Sequence, residues 1–374
     1  MKILLAPDKF KGSLSAKEVC SEIMAAFKQA GRNDELVAFP LADGGEGSIE
    51  AIAGYAAFRQ VYTEVHDALG KPISAYYLYE QHSAIAFIEL AVASGLSLIA
   101  ENERDILNSS SLGTGEQILH AINAGAKEII LGIGGSASND AGIGILHALG
   151  FRFKNESGQV LEPLGRNLEQ VTEILWPDHE LLKGVTFKVL CDVSNPLFGK
   201  QGAAHVYAAQ KGADENTIEQ LDKGLQHFAE ISFKYLNKNF SHAPGAGAAG
   251  GVGFGMLAFL NARLSPGIDT MMQLLNFDEV IKDVDLVISG EGKFDEQTLS
   301  GKVLAGVYQK TLQFNKPLII VAGLNALPAE KIWPDVKVFT LMDIATNTHE
   351  AIQNAAALLR KLIIEKLIPQ IPEN

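Results

Sequence analysis

The chain opens with MKILLAPDKFK, residues 1–11, in which a short apolar run ends at Asp8 and is followed by Lys9 and Lys11. Four later stretches repeat this arrangement of an apolar run that ends in an acid or amide among small residues. Their apolar runs are residues 36–42, 128–133, 187–191 and 285–289, and the polar corners that follow are 43–47, 134–140, Asp192 and 290–293. Ligands of α/β proteins bind outside the carboxyl ends of parallel strands. The five corners therefore predict one site that gathers carboxylates, backbone amides and ammonium groups. Such a site suits a polyanion with a hard cation, so phosphoryl transfer is the leading hypothesis.

Length and composition indicate a globular protein of two domains. The chain has 374 residues, which is more than one typical hydrophobic core accommodates. Hydrophobic residues make up 47% and charged residues 20%, so the chain is not of the disordered class. The formal net charge of −13 argues against binding to nucleic acid, which favours a basic surface. We expect small-molecule partners, and the oligomeric state stays open.

Cysteine content and hydropathy favour a cytoplasmic protein. Cys20 and Cys191 are too far apart in sequence for a C-x-x-C motif, which fits a reducing compartment. The first apolar run is strand-sized and lacks the length of a signal peptide. No apolar stretch approaches the length of a membrane span, so we expect no membrane association.

Strands and helices alternate at both ends of the chain. The apolar positions Val19, Ile23 and Phe27 fall on one face of a helix predicted over residues 15–30, with Ser13 or Ser15 as its N-cap. The remaining predicted elements of these ends are strands at 36–41, 286–289, 318–322 and 336–341, and helices at 47–57, 301–311 and 350–365. This alternation predicts βαβ units on a parallel sheet.

The stretch from residue 60 to residue 89 has a different pattern. Strand-like runs at 61–65, 73–79 and 84–89 are separated by short turns, which predicts an antiparallel meander. A change of sheet type within the chain, followed by a return, indicates an inserted domain. The predicted fold class is α/β, with a Rossmann-like parallel-sheet domain built from both chain ends and an inserted mixed-sheet α/β domain. The predicted boundaries are 1–60 with 245–374 for the first domain, and 61–244 for the inserted one.

Two glycine-rich segments are candidates for binding substrate or nucleotide. Residues 245–250 match G-x-G-x-x-G, but a polar stretch ending in a proline precedes them instead of a strand. Close helix packing is therefore favoured over dinucleotide binding, although the amides of Gly245 and Gly247 would also suit phosphates. In residues 134–140, small side chains would let backbone amides face an anion, and the N-terminus of a helix predicted at 141–149 would add a positive dipole. The candidates there are Gly134, Gly135, Ser136, Ser138 and Asn139. The alternative is that Ser138, Asn139 or Asp140 caps that helix.

Charged residues at the corners are candidates for catalysis and metal binding. Asp192 or Asp8 would orient a substrate hydroxyl as general base, and Lys11, Lys211 or Lys293 would offset anionic charge. The candidate ligands for a divalent cation are Asp43, Glu291 and Asp295. Each residue also has a simpler interpretation, because lysines are usually solvated, residues 192–196 read as a turn, and residues 291–295 would form an exposed salt-bridged loop.

In their order along the chain, these motifs resemble those of the bacterial glycerate kinase family of the first type. The matching segments are Ala6-Pro7-Asp8, residues 42–48, Gly113-Thr114-Gly115-Glu116, residues 132–140, Cys191-Asp192-Val193, residues 210–213, residues 244–251, and Gly290-Glu291-Gly292 with Gly301-Lys302. The resemblance implies a kinase that uses ATP and Mg²⁺ to phosphorylate D-glycerate, usually to 2-phosphoglycerate. It also implies two α/β domains with the active site between them.

Two other functions remain as alternatives. A sensing module that binds glycerate or a related sugar acid without chemistry would need the substrate contacts but not the acids assigned to metal. An NAD(P)-linked oxidoreductase would use residues 245–250, and the missing strand before this segment counts against it.

Overall fold

The structure is a computed structural model, and it describes residues 1–45, 47–55, 57–300 and 302–372. Its strands are β1 (Lys2–Leu5), β2 (Glu35–Ala38), β3 (Arg59–His66), β4 (Pro72–Glu80), β5 (Ile85–Glu89), β6 (Glu128–Gly132), β7 (Arg152–Lys154), β8 (Glu173–Leu175), β9 (Thr186–Leu190), β10 (Arg263–Ser265), β11 (Leu286–Phe294), β12 (Leu318–Asn325) and β13 (Lys337–Thr340). By contacts between residues, the chain divides into two compact units, Met1–Asp43 with Pro266–Asn374, and Gly44–Ser265. The domain boundaries drawn from the sequence stay a prediction.

The helices alternate with these strands. They are α1 (Ala16–Gln29), α2 (Ser48–Ile52), α3 (Leu90–Ser94), α4 (Leu112–Asn123), α5 (Ile143–Ala148), α6 (His179–Leu182), α7 (Ala203–Tyr207), α8 (Glu215–Leu236), α9 (Ala248–Leu260), α10 (Gly267–Leu274), α11 (Phe277–Lys282), α12 (Val303–Phe314), α13 (Thr348–Gln353) and α14 (Ala355–Leu362). A π-helical turn, Ile363–Leu367, extends α14. Among the helices described, none combines the length and apolarity needed to cross a membrane.

The unit built from both chain ends contains a five-stranded parallel sheet. Its strand order is β13-β12-β11-β1-β2, and every pair of neighbours is parallel. Numbered within the unit, this is the doubly wound order 2-1-3-4-5, whose switch point lies between the first and third strands. Buried Ile3 and Leu5 of β1 pack in one core cluster with Ile23 of α1 and Leu359 of α14. The switch point of this unit is therefore the carboxyl edge between β1 and β11.

The other unit contains a mixed sheet of six strands. Its order is β10-β9-β6-β5-β4-β3, with β3, β4 and β5 antiparallel and the remaining neighbours parallel. The meander predicted from the sequence is therefore confirmed, as is the α/β fold class with one parallel and one mixed sheet. Strands β7 and β8 form a separate antiparallel pair. Tyr77, Ile88, Leu131, Phe153 and Phe228 belong to the large core cluster of this unit.

Local signals placed α1 correctly, but the bounds of several other elements were wrong, including β12, which was predicted to end at residue 322 and ends at Asn325. Ser15 caps α1 in a capping box with Glu18, as one of the two predicted N-caps. The helix predicted over residues 350–365 is broken at Asn354, where α13 ends and α14 begins. The helix predicted at 47–57 is confined to α2, and Ala56 lies outside the described residues. The strand predicted to end at residue 289 continues to Phe294, because its backbone keeps pairing with β12.

The glycines near the start of α9 allow backbone segments to approach closely. Gly250 has a φ of +68°, and a Cβ at this position would overlap the carbonyl oxygen of Ser138. Ala249 and Gly251 also have left-handed dihedrals, so the helix is interrupted here. Ala141 N–H donates to the Gly250 carbonyl across the same contact at 3.0 Å.

We predict that Gly250→Ala lowers the free energy of unfolding by roughly 3–5 kcal/mol, from left-handed strain together with overpacking. The matched control is Gly158→Ala, because Gly158 has a φ of +79° and nothing within 4 Å of a Cβ. In that variant the free energy of unfolding should fall only by the left-handed strain, about 1–2 kcal/mol. Urea unfolding of both variants measures the difference, and equal losses would contradict the close-approach argument.

Candidate active site

The polar corners divide between the two units, and the corner at residues 43–47 is itself divided after Asp43. Asp8, Asp43 and Glu291 belong to the parallel-sheet unit, where they follow or lie in β1, β2 and β11. The loop at residues 134–140 and Asp192 belong to the mixed-sheet unit, where they follow the neighbouring strands β6 and β9. Each group lies toward the carboxyl ends of its strands, as the sequence predicted.

Backbone pairing brings the three acids of the first group to the switch point. Asp8 N–H donates to the Gly290 carbonyl at 2.8 Å, which continues the pairing of β1 with β11 beyond Leu5. On the other side of β1, Leu41 N–H donates to the Pro7 carbonyl at 2.9 Å, two residues before Asp43. Asp8 and Asp43 therefore follow the ends of β1 and β2, beside Glu291 of β11.

Burial and mutual repulsion perturb two of these acids. Asp8 is 8% exposed, and burial together with the negative charges of Asp43 and Glu291 raises its pKa to about 7, against the opposing effect of Lys9. Glu291 is 7% exposed, and burial raises its pKa to about 7 as well, with smaller contributions from Asp295 and Asp43. Acids perturbed in this way mark candidate functional sites.

Glu291 is held by Thr298, a residue that the sequence analysis missed. The Thr298 hydroxyl donates to Glu291 Oε1 and accepts from Asp295 N–H at 3.1 Å. Glu291 was expected in a loop, but it lies inside β11, opposite Ala322 of β12. A threonine in a polar turn carries no distinctive sequence signal, so only the structure associates it with the acid.

The flanking charged residues are more exposed. Lys293 Nζ lies 3.0 Å from Asp295 Oδ2, and this pairing lowers the pKa of Asp295. Lys302 Nζ donates to Gln297 Oε1 at 3.1 Å, while Lys11 is exposed on the turn after β1. Two residues of the predicted motifs, Glu46 and Gly301, lie outside the described residues.

No three His, Cys, Asp or Glu side chains among the described residues come together as a ready-made metal site. The assignment of Asp43, Glu291 and Asp295 as metal ligands therefore stays a prediction. The donor chemistry still fits a hard cation, because Asp8, Asp43 and Glu291 are oxygen donors that repel one another electrostatically.

In the mixed-sheet unit, the loop after β6 is largely buried. Gly135 is exposed and Gly134 is partly buried, whereas Ser136, Ser138 and Asn139 are buried. Two backbone hydrogen bonds attach the loop to the end of α3, since Ala137 N–H donates to the Ser94 carbonyl and Leu96 N–H to the Gly135 carbonyl. The part of the loop that solvent reaches is therefore its beginning.

The side chain of Asp140 lies at the N-terminus of α5, where the sequence predicted a bound anion. Its fully buried carboxylate accepts from the amides of Gly142 and Gly144 at the start of α5. It also accepts from Ser111 N–H and Ser111 Oγ, both at 2.7 Å, and from Ser138 Oγ at 3.2 Å. Asp140 therefore accepts from the backbone at the start of α5, which agrees with the capping alternative, and anion binding by residues 134–139 stays a prediction.

Lys211 is the one predicted catalytic lysine that is buried, with 3% of its surface exposed. Its Nζ donates to Ser136 Oγ and to the Ser138 carbonyl, both at 2.7 Å. Burial lowers its pKa to about 7, against the opposing effect of Asp140. Lys211 therefore binds the loop of residues 134–140 directly.

Asp192 is exposed after β9 and differs in this respect from Asp8. The turn behind it is fixed by Asn195, whose Nδ2 donates to the Gln201 carbonyl and whose Oδ1 accepts from the Tyr207 hydroxyl at 2.7 Å. Gly247 N–H donates to the Asn195 carbonyl at 2.9 Å, so this turn also contacts the glycine-rich segment.

Within that glycine-rich segment, Gly245 and Gly247 are buried. A Cβ on Gly247 would overlap the Pro196 carbonyl oxygen, and one on Gly245 would contact the Leu264 side chain and Cys191 Sγ. No strand leads into the segment, which follows turns after α8. This supports the interpretation as close packing, and the binding roles of both glycines stay predictions.

A second residue missed by sequence reasoning is Glu89, at the end of β5. Its buried carboxylate accepts from Gly47 N–H at 2.7 Å and from Ile49 N–H at 3.0 Å. It thereby caps α2 and fixes the segment that follows Asp43. The available signal was an acid inside the otherwise apolar and small stretch at residues 85–94.

Comparison with known proteins identifies the family. The chain matches the sequence model of the Glycerate kinase family over residues 3–368. A glycerate kinase from Halalkalibacterium halodurans is 39% identical over 365 residues, which are 96% of this chain and 95% of that protein. The glycerate 2-kinase of Escherichia coli K12 is 42% identical over 324 residues, which are 86% of this chain and 85% of that protein.

The same relationship is found among solved structures. A crystal structure from Salmonella typhimurium LT2, of a protein assigned as glycerate kinase 2, matches with a TM-score of 0.84 at 39% identity. The match covers 99% of this chain and 100% of that chain. These relatives are kinases, a class of phosphotransferase. The chain belongs to the glycerate kinase family, and the resemblance inferred from the motifs is confirmed.

The raised pKa of Asp8 predicts a pH-dependent effect on stability. Because its folded pKa of about 7 exceeds the ordinary value of 3.8, the folded state binds this proton more tightly than the unfolded state. Stability is therefore lost as the pH rises from about 4 to about 7. We predict that Asp8→Asn is more stable than the wild type, and that this advantage grows by about 2–3 kcal/mol between about pH 5 and pH 8.

Urea unfolding of the wild type and Asp8→Asn at both pH values measures this change. Glu156→Gln is the control, because Glu156 is an exposed acid in a turn and its replacement should leave the pH dependence unchanged. An advantage of Asp8→Asn that is equal at the two pH values would show that repulsion at the switch point is not its source.

Proposed function

We propose that this protein phosphorylates D-glycerate with ATP as the phosphoryl donor. Membership of the glycerate kinase family supports the reaction class. The observation that carries the assignment is the group of buried acids at the switch point, because phosphoryl transfer needs positioned carboxylates and charge compensation. Small molecules are the proposed partners, and two free cysteines support the cytoplasm as the proposed location.

The proposed product is 2-phosphoglycerate. Support comes from the relative in Escherichia coli K12, which is named glycerate 2-kinase and is 42% identical. The motifs quoted from the sequence resemble the same group of kinases. Chemically, either hydroxyl of glycerate is a competent nucleophile, so the position of attack has to be measured.

Mg²⁺ is the proposed cofactor, and the available ligands fit it. Asp43 and Glu291 would hold the cation, with Asp295 as a further oxygen donor from the same unit. When bound, the ion would neutralise charge on the transferred phosphoryl group and its leaving group. The mutual repulsion of these acids in its absence supports the proposal, because a cation would relieve it.

Asp8 is the better of the two candidates for general base. It is buried next to the proposed metal ligands, whereas Asp192 is exposed. In the proposed step, a glycerate hydroxyl oxygen attacks the γ-phosphorus of ATP and gives its proton to the Asp8 carboxylate. The new P–O bond forms as the bond between the γ-phosphorus and the bridging oxygen breaks, and ADP leaves.

The remaining predicted residues receive supporting roles. Lys11 and Lys293 would offset negative charge on the phosphates or on the glycerate carboxylate. The loop of residues 134–139, with Gly245 and Gly247, would contribute from the other unit to substrate or nucleotide binding.

The test is ADP release by the purified protein with MgATP, measured with and without D-glycerate. Glycerate-dependent ADP, with a phosphoglycerate signal in proton-coupled ³¹P NMR, is the expected result, and the coupling pattern identifies the hydroxyl that was phosphorylated. Glycerate binding in a calorimeter without any ADP would instead favour the sensing module. ADP release at the same rate with and without D-glycerate would indicate a different phosphoryl acceptor.

Substitution of the two candidate bases distinguishes their roles. We predict that Asp8→Asn lowers kcat by about a hundredfold or more, because the hydroxyl loses its proton acceptor. Asp192→Asn should stay within a few fold of the wild type, as should the exposed control Glu156→Gln. The opposite ranking, with Asp192→Asn the more severe in folded protein, would assign the base to Asp192.

A further inference from the structure

The contacts of Lys211 determine the orientation of a neighbouring hydroxyl. A lysine ammonium has three N–H donors and no acceptor. Lys211 Nζ lies 2.7 Å from Ser136 Oγ and 2.7 Å from the Ser138 carbonyl oxygen, so it donates to both. Because Ser136 Oγ accepts this hydrogen bond, its own O–H has to point away from the lysine.

The Ser136 hydroxyl differs in this respect from the other serine of the loop. Ser138 Oγ donates to Asp140 Oδ1, so its proton already has an acceptor. Across the described residues, no protein acceptor receives the proton of Ser136. Ser136 is 7% exposed and follows Gly135, which is exposed. Its remaining donor therefore belongs to a buried residue next to the part of the loop that solvent reaches.

The ammonium form of Lys211 is linked to this arrangement. Burial lowers the pKa of Lys211 to about 7, while the negative charge of Asp140 raises it. The guanidinium of Arg104 is also close to the same turn, because its Nη1 donates to the Gln210 carbonyl at 3.1 Å. An anionic ligand on Ser136 would favour the protonated lysine, which in turn keeps the hydroxyl pointed at the ligand.

The geometry points to Ser136 as a direct donor to an anionic oxygen of a substrate, with Lys211 as the positioning residue that orients the Ser136 hydroxyl. This inference rests on the proposed function and changes one part of it, since Lys211 was expected to offset substrate charge itself. The oxygen belongs to the carboxylate of a hydroxy acid or to a phosphate of the nucleotide, which present the same acceptor chemistry.

Steady-state kinetics of Ser136→Ala, Lys211→Met and the double variant test the inference. A lost hydrogen bond to an anionic oxygen should raise KM for one substrate by about tenfold or more in either single variant, with kcat changed much less. KM for D-glycerate rises if the oxygen is the carboxylate, and KM for ATP rises if it is a phosphate oxygen. The double variant should be no worse than Lys211→Met, because the lysine acts through the serine.

Two further variants separate this role from a loss of folding. Lys211→Arg keeps N–H donors, so its KM should rise less than that of Lys211→Met. Ser232→Ala is the matched control, because Ser232 is a buried serine whose hydroxyl donates within α8, to the Phe228 carbonyl. Partial unfolding lowers the apparent kcat and leaves KM unchanged, so it does not imitate the expected result.

Three results would overturn the inference. The first is KM values of Ser136→Ala equal to those of the wild type, and the second is a double variant whose KM change is the product of the single changes. The third is a binding result that can be obtained even if the wild type makes no phosphoglycerate. Absence of phosphoglycerate would contradict the proposed function but not this inference. In that case thermal-shift titrations with D-glycerate and with ADP compare the wild type with Ser136→Ala, and equal binding of both ligands rejects Ser136 as a donor.

Discussion

The pairing of β1 with β11 is the contact on which the arrangement of the candidate site depends. It places Ile3 opposite Leu286, so residues at the two ends of the chain become neighbours in one parallel sheet. Strand β2 pairs with the other side of β1, and the resulting 2-1-3-4-5 order creates a switch point at the carboxyl edge. Asp8 and Glu291 come together only because this pairing forms. The second unit, Gly44–Ser265, lies between β2 and β11 in the sequence.

The two groups of polar residues differ in how their charges are compensated. At the switch point, acids lie beside acids, and burial raises the pKa values of Asp8 and Glu291. In the other unit, the Asp140 carboxylate accepts five hydrogen bonds, and Lys211 is close enough to interact with it electrostatically. The carboxylates of the first group lack charge compensation that a bound cation would supply. The Asp140 carboxylate of the second group is compensated by protein donors and stabilises a loop. Destabilised charges of the first kind are a usual cost of function.

The sequence predicted features whose causes are local. The capping box of Ser15 with Glu18 and the meander of β3, β4 and β5 are examples, because turn and cap residues adjoin the elements they define. The extension of β11 was missed because its cause is the pairing with β12, which no local pattern of glycines and charges reveals. Asp140 was recognised only as a possible cap, since two of its donors come from Ser111, which is remote in sequence.

The same reasoning explains which parts of the site could be foreseen. Acids at strand ends were visible from the sequence, because apolar runs followed by Asp or Glu mark carboxyl edges. Their division between two sheets follows the two domains predicted from the sequence, whose boundaries stay a prediction. Burial was not visible from the sequence, and it separates Asp8 from Asp192 and Lys211 from Lys11. Thr298 and Glu89 act through hydrogen bonds that depend on the fold, which is why the motifs omitted them.

We propose that the acids at the switch point form a cation site for phosphoryl transfer. The most direct test is the thermal unfolding of the wild type and Asp43→Asn at about pH 8, with millimolar MgCl₂ or with NaCl of equal ionic strength. A ligand that binds only the folded state raises the melting temperature. We expect a Mg²⁺-specific rise in the wild type that Asp43→Asn largely loses. An equal Mg²⁺-specific rise in both proteins would show that Asp43 does not hold the cation.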